Sequence, residues 1–420
     1  MRILHLLHRS IPGTHGYAIR SREIVIKQRD KGLEPLVITS PSQAALGKLD
    51  SEGSEYIDGI RYFRTCGHIL PATTEVSDKS PLKASLRVFQ NVSLFRKAMR
   101  VARVYRPSVI HGHSPFTCGL VGDAVGRVTG IPTIYEMRGI WEDSHAARDK
   151  ITEDSIRYRM VRGLENRALK SADRCCMICE ALEQEILSRG IIGKEKIFVV
   201  PNGVDTKRFM PGPPDEDLRE RLGLRNRIIM GYLGTFFHYE GLDLLVEAMI
   251  RLAPDVPELS LLLVGHGELM SSLEELVGRA GISDRVVFTG KVPHQEVTDY
   301  YRLFDFMVLP RRDTRETRLV TPLKPMEIMA MEKPLIASNI GGHRENIEDG
   351  LNGILFRSDD VDDLVHKCRR LLANRDLRSE LGARARCWVE ANRDWNVLVK
   401  RYIEVYDILA EGRAHYSETH

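Results

Sequence analysis

Twelve short apolar runs, most separated from the next by a helical pattern, leave this chain few folds to choose from. The first set reads "RILHLLH", "EPLVITS", "SVIHGHS", "PTIYEMRG", "RCCMIC" and "KIFVVPNG". The second reads "RIIMGYLGT", "LSLLLVGHG", "RVVFTGKV", "DFMVLPR", "KPLIASN" and "NGILFRS". Near-continuous apolar runs of about four to six residues are what strands look like when helices cover both faces of their sheet. That is the arrangement of parallel sheets with crossover helices. The pattern therefore predicts two doubly wound α/β units. Ligands in such sheets bind beyond the carboxyl ends of the strands, so two units facing one another would frame an interdomain cleft.

A chain of 420 residues exceeds one ordinary core, and domains of about 200 residues each are expected. The boundary falls in "VVPNGVDTKRFMPGPPDED", where Pro201, Asn202, Gly203, Pro211, Gly212, Pro213 and Pro214 crowd together in a turn-rich linker composition. Domains are expected over 1–200 and 201–385. A last helix over 386–412 carries Trp395, Leu398, Tyr402, Val405 and Leu409 at helical spacing. It is expected to cross back to the N-terminal domain and tie the two together.

Bulk properties exclude several classes. A composition 43% hydrophobic and 28% charged is that of a soluble globular protein, and a net charge of +3 does not by itself imply nucleic acid. No stretch reaches the ~18 unbroken apolar residues of a membrane span, and "MRILHLLHRS" reads as a buried strand rather than a signal peptide. The seven cysteines have no framework spacing, so free thiols in a reducing cytoplasm are expected. Cys175, Cys176 and Cys179 cluster in "DRCCMICE", but no second ligand pair at finger-like spacing completes a zinc site. They read as core residues.

The second half is dense in ordered motifs: "VVPNGVDTKRFMP", "YLGTFFHYEGLDLLVEAM", "LLLVGHGEL", "VVFTGKVPHQEVTDYYRLFDFMVLPR" and "LKPMEIMAMEKPLIASNIGGHRENIEDGLNGILF". With the tryptophan-containing terminal helix, they resemble the retaining glycosyltransferases of family four over nearly the whole chain. Within that family the resemblance is to the group associated with bacterial exopolysaccharide and cell-surface glycan synthesis. It implies the GT-B architecture, two Rossmann-like doubly wound domains across a cleft, with the nucleotide sugar held by the C-terminal domain and the acceptor by the N-terminal one.

Carried onto this sequence, the resemblance assigns donor contacts residue by residue. The family has two glutamates eight positions apart, the second on the nucleotide ribose. Glu327 matches that second position, and Leu319 replaces the first. A carboxylate suits a vicinal diol because its two oxygens can accept both hydroxyl hydrogens. Leu323 and Lys324 stand where the family lays its backbone against the donor phosphates, where a cation and helix-start amides would reinforce one another. The family's usual arginine and lysine are replaced here by Thr235 and Glu240. A leaving diphosphate of about two to three charges must still be stabilised, and "LPRRDTRETRLVTPLK" offers Arg311, Arg312, Arg315, Arg318 and Lys324. Lys324 with Arg312 or Arg318 is expected to take over, while Arg315 pairs with Asp313 or Glu316. Alternatively, Glu240 marks lost activity.

Glycine turns complete the donor side. Gly13 and Gly16 follow the first strand, Gly234 precedes Thr235, and Gly341 and Gly342 precede His343. Each would let backbone approach the phosphates, while Gly265 and Gly267 in "GHGE" are expected on the nucleobase side. No G-x-G-x-x-G follows the first strand and no Walker lysine occurs, which argues against a nicotinamide enzyme or a P-loop.

On the acceptor side, His111 and His113 end one strand, and Glu136 and Arg138 end the next, where the family often carries a histidine. Glu136 and Arg138 are expected at the acceptor. His113 is either a substrate contact near the reacting carbon or a satisfied structural residue. Trp141, beside Glu142 and Asp143, either stacks on a sugar or caps the domain. The resemblance further implies that the leaving diphosphate deprotonates the incoming hydroxyl on the same face. The protein would supply position and electrostatic stabilisation, with no dedicated D-x-D clamp, no metal and no cofactor.

From Lys79 to Arg106 there are eight basic residues and no acidic one, interleaved with Leu82, Leu86, Phe89, Leu94, Phe95 and Met99. The stretch reads either as a peripheral contact with anionic lipid at the inner membrane face or as a solvated helix pair. In the first case a lipid-linked saccharide is the expected acceptor. Two other functions fit the same fold, a nucleotide-sugar epimerase or hydrolase and a catalytically silent binding subunit. Turnover with and without acceptor separates them.

Overall fold

The computed structural model describes residues 1–13, 16–43, 45–65, 81–143 and 152–418, with the backbone alone for 81–89 and 413–418. The chain divides into two units, Met1–Pro201 together with Trp395–His420, and Asn202–Asp394.

In the first unit, eight strands form one sheet in the order β3-β4-β2-β1-β5-β6-β7-β8. They are β1 (Arg2–Leu7), β2 (Glu34–Thr39), β3 (Ser54–Ile57), β4 (Ile60–Arg64), β5 (Val109–His113), β6 (Thr133–Met137), β7 (Arg174–Met177) and β8 (Ile197–Val199). All neighbours are parallel except β3 and β4, which form a hairpin pairing Ile57 with Ile60. Its turn is Asp58–Gly59, with φ of 50° and 73°, the two positive values that a tight hairpin turn matching strand twist requires. This hairpin was absent from the expected strands, although Asp-Gly between apolar alternations is a strong hairpin signal.

Successive residues of β1 serve opposite faces of the sheet. Leu4 and Leu6 pack with Leu94, Ala98, Val101 and Ala102 of helix α2 (Pro81–Tyr105), while Ile3 packs with Ile24 of helix α1 (Gly16–Asp30) and with the terminal helix. That terminal helix runs over Trp395–Glu418. It starts nine residues later than expected, because residues 386–392 continue the preceding helix Arg375–Asn392 of the second unit. Trp395, Leu398 and Tyr402 are buried as their spacing required, Val405 and Leu409 pack partly, and Tyr406 joins them. Fully burying a residue such as Leu398 contributes about 1.5–3 kcal/mol. Cys175, Cys176 and Cys179 are buried free thiols.

In the second unit, six parallel strands run in the order β11-β10-β9-β12-β13-β14. They are β9 (Ile228–Leu233), β10 (Leu259–Val264), β11 (Val286–Gly290), β12 (Phe306–Leu309), β13 (Leu335–Ser338) and β14 (Ile354–Phe356). Leu259 to Val264 are all buried, as a strand covered on both faces must be. Connections from β9 lead outward to β10 and β11 on one side, whereas β12 begins the other side. The sheet therefore reverses between β9 and β12, and ligands in open α/β sheets bind in the crevice such a reversal opens. Among the described residues no helix is long and apolar enough to cross a membrane.

Candidate functional site

The reversal brings three segments together: the loop after β9, the residues after β12, and the short helix Lys324–Ala330. Lys324 Nζ donates to Glu240 Oε1 at 2.7 Å and to the Tyr232 hydroxyl at 2.7 Å. Arg311 donates to the same carboxylate, from Nη2 to Oε1 at 3.1 Å and from Nε to Oε2 at 3.4 Å. Its guanidinium carbon lies 5.3 Å from the centroid of the Tyr239 ring. Two cations against one carboxylate leave one positive charge in excess. The Glu240 side chain is 3% exposed, against 11% for Arg311 and 19% for Lys324. Burial alone would push the Glu240 carboxyl up, but Arg311 and Lys324 outweigh it and hold the group at about 2. Burial also lowers the Lys324 ammonium, against the pull of Glu240.

Glu327 lies one turn further along the same helix and accepts the Tyr301 hydroxyl at Oε2, 2.8 Å away. Burial raises its carboxyl above the ordinary range. A carboxylate oxygen has two lone pairs, so both oxygens keep acceptor capacity after the Tyr301 bond. Leu323 caps this helix, and its carbonyl accepts from Met326 N at 3.1 Å.

The predicted glycines fall into two groups. Gly234 is where Lys324 passes: a Cβ there would sit 2.3 Å from Lys324 Cε, and its φ of 151° also excludes most side chains. Gly265 and Gly267 press against Gly234 and Phe236, so "GHGE" buttresses the same loop. Gly341 and Gly342 meet the carbonyls of Arg318 and Val320, which places them under the segment leading to Lys324 as packing positions. Thr235 is exposed, and its carbonyl accepts the Tyr232 hydroxyl at 3.0 Å. Gly16 opens helix α1, which follows β1 in the first unit.

Two expected cations stand elsewhere. Arg312 is bound by Asp243 and by Asp359 at 2.8 Å. Arg318 pairs with Asp313 at 2.6 Å on a 60% exposed side chain. Neither reaches Lys324. The cation sharing its partner is Arg311, one position before Arg312. Arg311 stands two residues beyond the end of β12, after Pro310, a position that no local signal separates from that of Arg312.

The first-unit candidates form a different structure. Glu136 is fully buried: Oε1 accepts Arg20 Nε at 3.1 Å and Arg138 Nε at 2.6 Å, and Oε2 accepts the Tyr402 hydroxyl. Arg138 can only donate, so His113 Nδ1 must accept from it. His113 Nε2–H then donates to His5 Nδ1 at 2.9 Å, and His5 Nε2–H to Gln28 Oε1 at 2.8 Å. Gln28 donates to the Tyr406 hydroxyl at 2.9 Å, which in turn donates to His111 Nδ1 at 2.8 Å. Each step fixes the next tautomer. Burial drives His5 down to about 3 and His113 to about 4, and His111 well below its ordinary value. Glu136, which burial would raise, is instead held well below the carboxylate range by Arg138 and Arg20.

This corrects three expectations. Glu136, Arg138 and His113 are buried and not exposed to an acceptor, their polar atoms bonded to one another and to Arg20, Tyr402, Tyr17, Ser21 and His5. His5, His111 and His113 are near enough to share an ion, but both nitrogens of His5 and His113 are already hydrogen-bonded and two arginines stand beside them. The acids next to Trp141 are also engaged, Glu142 with Arg189 at 2.7 Å and Asp143 with the Tyr158 hydroxyl at 2.7 Å. The D-x-D spellings at Asp215 and Asp360 begin helices, each aspartate accepting a backbone N–H as a cap.

Of the basic stretch, Lys79 lies outside the described residues, as do the side chains of Leu82, Lys83, Leu86, Arg87 and Phe89. Leu94 and Met99 are buried in the core, Phe95 packs on it, and Lys97 binds the Glu52 carbonyl. Arg96, Arg100 and Arg103 remain exposed along one helix face. The larger apolar side chains described on α2 are therefore spent on its own domain, and its exposed residues include Val92 and Val104 beside the three arginines.

Known proteins fall in with these observations. Residues 214–388 match the family model "Glycosyl transferases group 1", and residues 20–208 match "Glycosyltransferase Family 4". A GDP-mannose-dependent alpha-(1-6)-phosphatidylinositol monomannoside mannosyltransferase of Mycolicibacterium smegmatis is 30% identical over 218 residues, 51% of this chain and 57% of the relative. The chain thus spans about half the length of the first curated relatives it matches. Sucrose-phosphate synthase from Thermosynechococcus elongatus aligns with a TM-score of 0.76 at 20% identity, over 98% of this chain and 100% of that one. Anabaena HepE in complex with UDP-glucose aligns at 0.70 and 19%, over 97% and 99%. At such identities the two structures speak for the fold.

Proposed function

Since this chain belongs to the group 1, family 4 glycosyltransferases and has their GT-B fold, we propose that it moves a hexosyl group from a nucleotide-diphosphate sugar to a hydroxyl of a glycan. The observation that carries the proposal is one helix holding both Lys324, fixed by Glu240 and Tyr232, and Glu327, fixed by Tyr301. A fixed cation and a fixed carboxylate one turn apart match the two polar ends of a ribosyl diphosphate. Glu327 takes the ribose hydroxyls and Lys324 the diphosphate.

Transfer proceeds with retention and without a metal ion. The bond from the anomeric carbon to the diphosphate oxygen breaks, and the acceptor oxygen bonds to that carbon on the same face. The acceptor proton passes to the departing diphosphate. Lys324 stabilises the charge that develops there, where a preorganised donor is worth most. GDP-mannose, named for the mycobacterial relative, and UDP-glucose, bound to HepE, are the donors to try first. A lipid-linked or cell-surface saccharide is the acceptor class, handled at the inner face of the membrane. Arg96, Arg100 and Arg103 would supply peripheral attraction to anionic lipid.

Calorimetry with UDP, GDP, ADP and dTDP, on the wild type and Glu327→Ala, tests this directly. One nucleotide should bind and lose about tenfold or more in affinity on substitution, the value of a lost charge-assisted contact. No binding to folded protein would sink the proposal and bring forward the silent subunit. Turnover of the matching nucleotide sugar without acceptor would indicate an epimerase or hydrolase instead.

A further inference from the structure

We infer that Arg311, Lys324 and Glu240 act together as a diphosphate seat, with Arg311 its second cation and Glu240 a positioning residue. The inference rests on the nucleotide-sugar reading above and names the groups that receive its phosphates. Glu240 then is not the remnant of a missing lysine.

Three features lead there. The cations come from separate segments that meet only at the reversal of the sheet, the place where such sheets bind ligands. Lys324 Nζ and Arg311 Nη2 both bond to Glu240 Oε1, at 2.7 and 3.1 Å. Without that oxygen, two charges so close would repel one another, so the carboxylate is what lets them stand together. The ordering of exposure supplies the third feature. Glu240 is 3% exposed and its partners are 11% and 19%, so the carboxylate lies behind and the cations reach outward.

The cluster also retains donors. An ammonium has three N–H groups, and Lys324 uses two on Glu240 and Tyr232. A guanidinium has five, and Arg311 uses two on Glu240. A dianionic ligand would add bonds to both cations without displacing Glu240. Gly234, lacking a Cβ that would strike Lys324 Cε at 2.3 Å, keeps the approach open. Arg312 and Arg318 contribute no such donors here, being neutralised by Asp243, Asp359 and Asp313.

The test is calorimetry on the full chain, with inorganic pyrophosphate and the four nucleoside diphosphates as probes. Arg311→Met should weaken both pyrophosphate and the preferred nucleotide by about tenfold, the loss of one charge-assisted contact. Arg312→Met should change either by less than about twofold, as expected of a surface pair. Glu240→Gln, nearly isosteric, removes the negative charge but loosens the two cations. It should tighten pyrophosphate about threefold with a steeper salt dependence, while kcat for transfer falls about tenfold and the donor KM does not rise. A purely structural glutamate would not split KM from kcat in that way. Nucleotide binding that is indifferent to both Arg311→Met and Glu240→Gln overturns the seat while leaving the reading intact. Pyrophosphate binding lost in Arg311→Met, with no nucleotide bound by the wild type, keeps the seat and overturns the reading. Should Arg311→Met not fold, Glu240→Gln decides alone, and unchanged KM, kcat and salt dependence there overturn the seat.

Discussion

Glu136 in the first unit and Glu240 in the second are both buried carboxylates bound by two cations, Arg20 with Arg138 and Arg311 with Lys324. The difference lies in what surrounds them. Around Glu136, side chains on β1, α1, β5, β6 and the terminal helix continue the network through His113, His5, Gln28, Tyr406 and His111, and Arg20 and Arg138 are each 3% exposed. Around Glu240, the network stops at two cations and a tyrosine, and the cations are reached by solvent. In this closed network both cations are spent, and of the three imidazoles a single buried nitrogen, His111 Nε2, is without a hydrogen-bond partner. An open one with an excess charge has donors to give. The lesson is that strong burial and a depressed carboxyl do not by themselves mark a working site. Unused donors and a path to solvent do.

The two carboxylates should differ most in what they contribute to stability. Glu136→Gln strands Arg20 and Arg138 in a dry core, and a loss of about 3–5 kcal/mol is expected from denaturant unfolding. The same change at Glu240 should cost roughly 1–2 kcal/mol, because water reaches its cations. Equal losses at the two sites would mean that the second cluster is as closed as the first.

Acid should separate the units next. His5, His111 and His113 are neutral when folded but accept protons near 6.5 when unfolded. Depressed imidazoles contribute stability that is fully present above pH 6.5 and is lost as pH falls from there toward 4 and 3. Each unit of depression is worth about 1.4 kcal/mol. Among the described residues the second unit has one comparable imidazole, His343, lowered by burial to about 3. Glu240 in that unit weakens only as pH falls from 4.5 to about 2. Hydrogen exchange between pH 7 and 5 should therefore show protection lost around β1, β5 and the terminal helix before the second sheet. Simultaneous loss in both would contradict the assignment of neutral imidazoles.

The smallest effect is expected from Arg312→Ala and Arg318→Ala. Arg318 is an exposed pair and Arg312 a half-buried one whose two aspartates are exposed, so melting should shift by less than about 1 kcal/mol, with nucleotide binding unchanged. A large loss of binding in either would return these arginines to the site and remove Arg311 from it.

The sequence by itself determined the twelve strands it was read for, because a parallel strand buried on both faces must be apolar along its length. It also determined that Trp395, Leu398 and Tyr402 face a core, because helical spacing leaves them no other side. The hairpin at Asp58–Gly59 is legible too, through its turn chemistry. Tertiary structure alone decided which charges meet. Glu136 finds Tyr402 at a separation of 266 residues, and Glu240 finds Arg311 and Lys324 at 71 and 84. Periodicity ends where a strand ends, so nothing local distinguishes Arg311 from Arg312. Their opposite fates follow from the order in which β9 and β12 lie side by side, and that order is set by the packing of whole sheets.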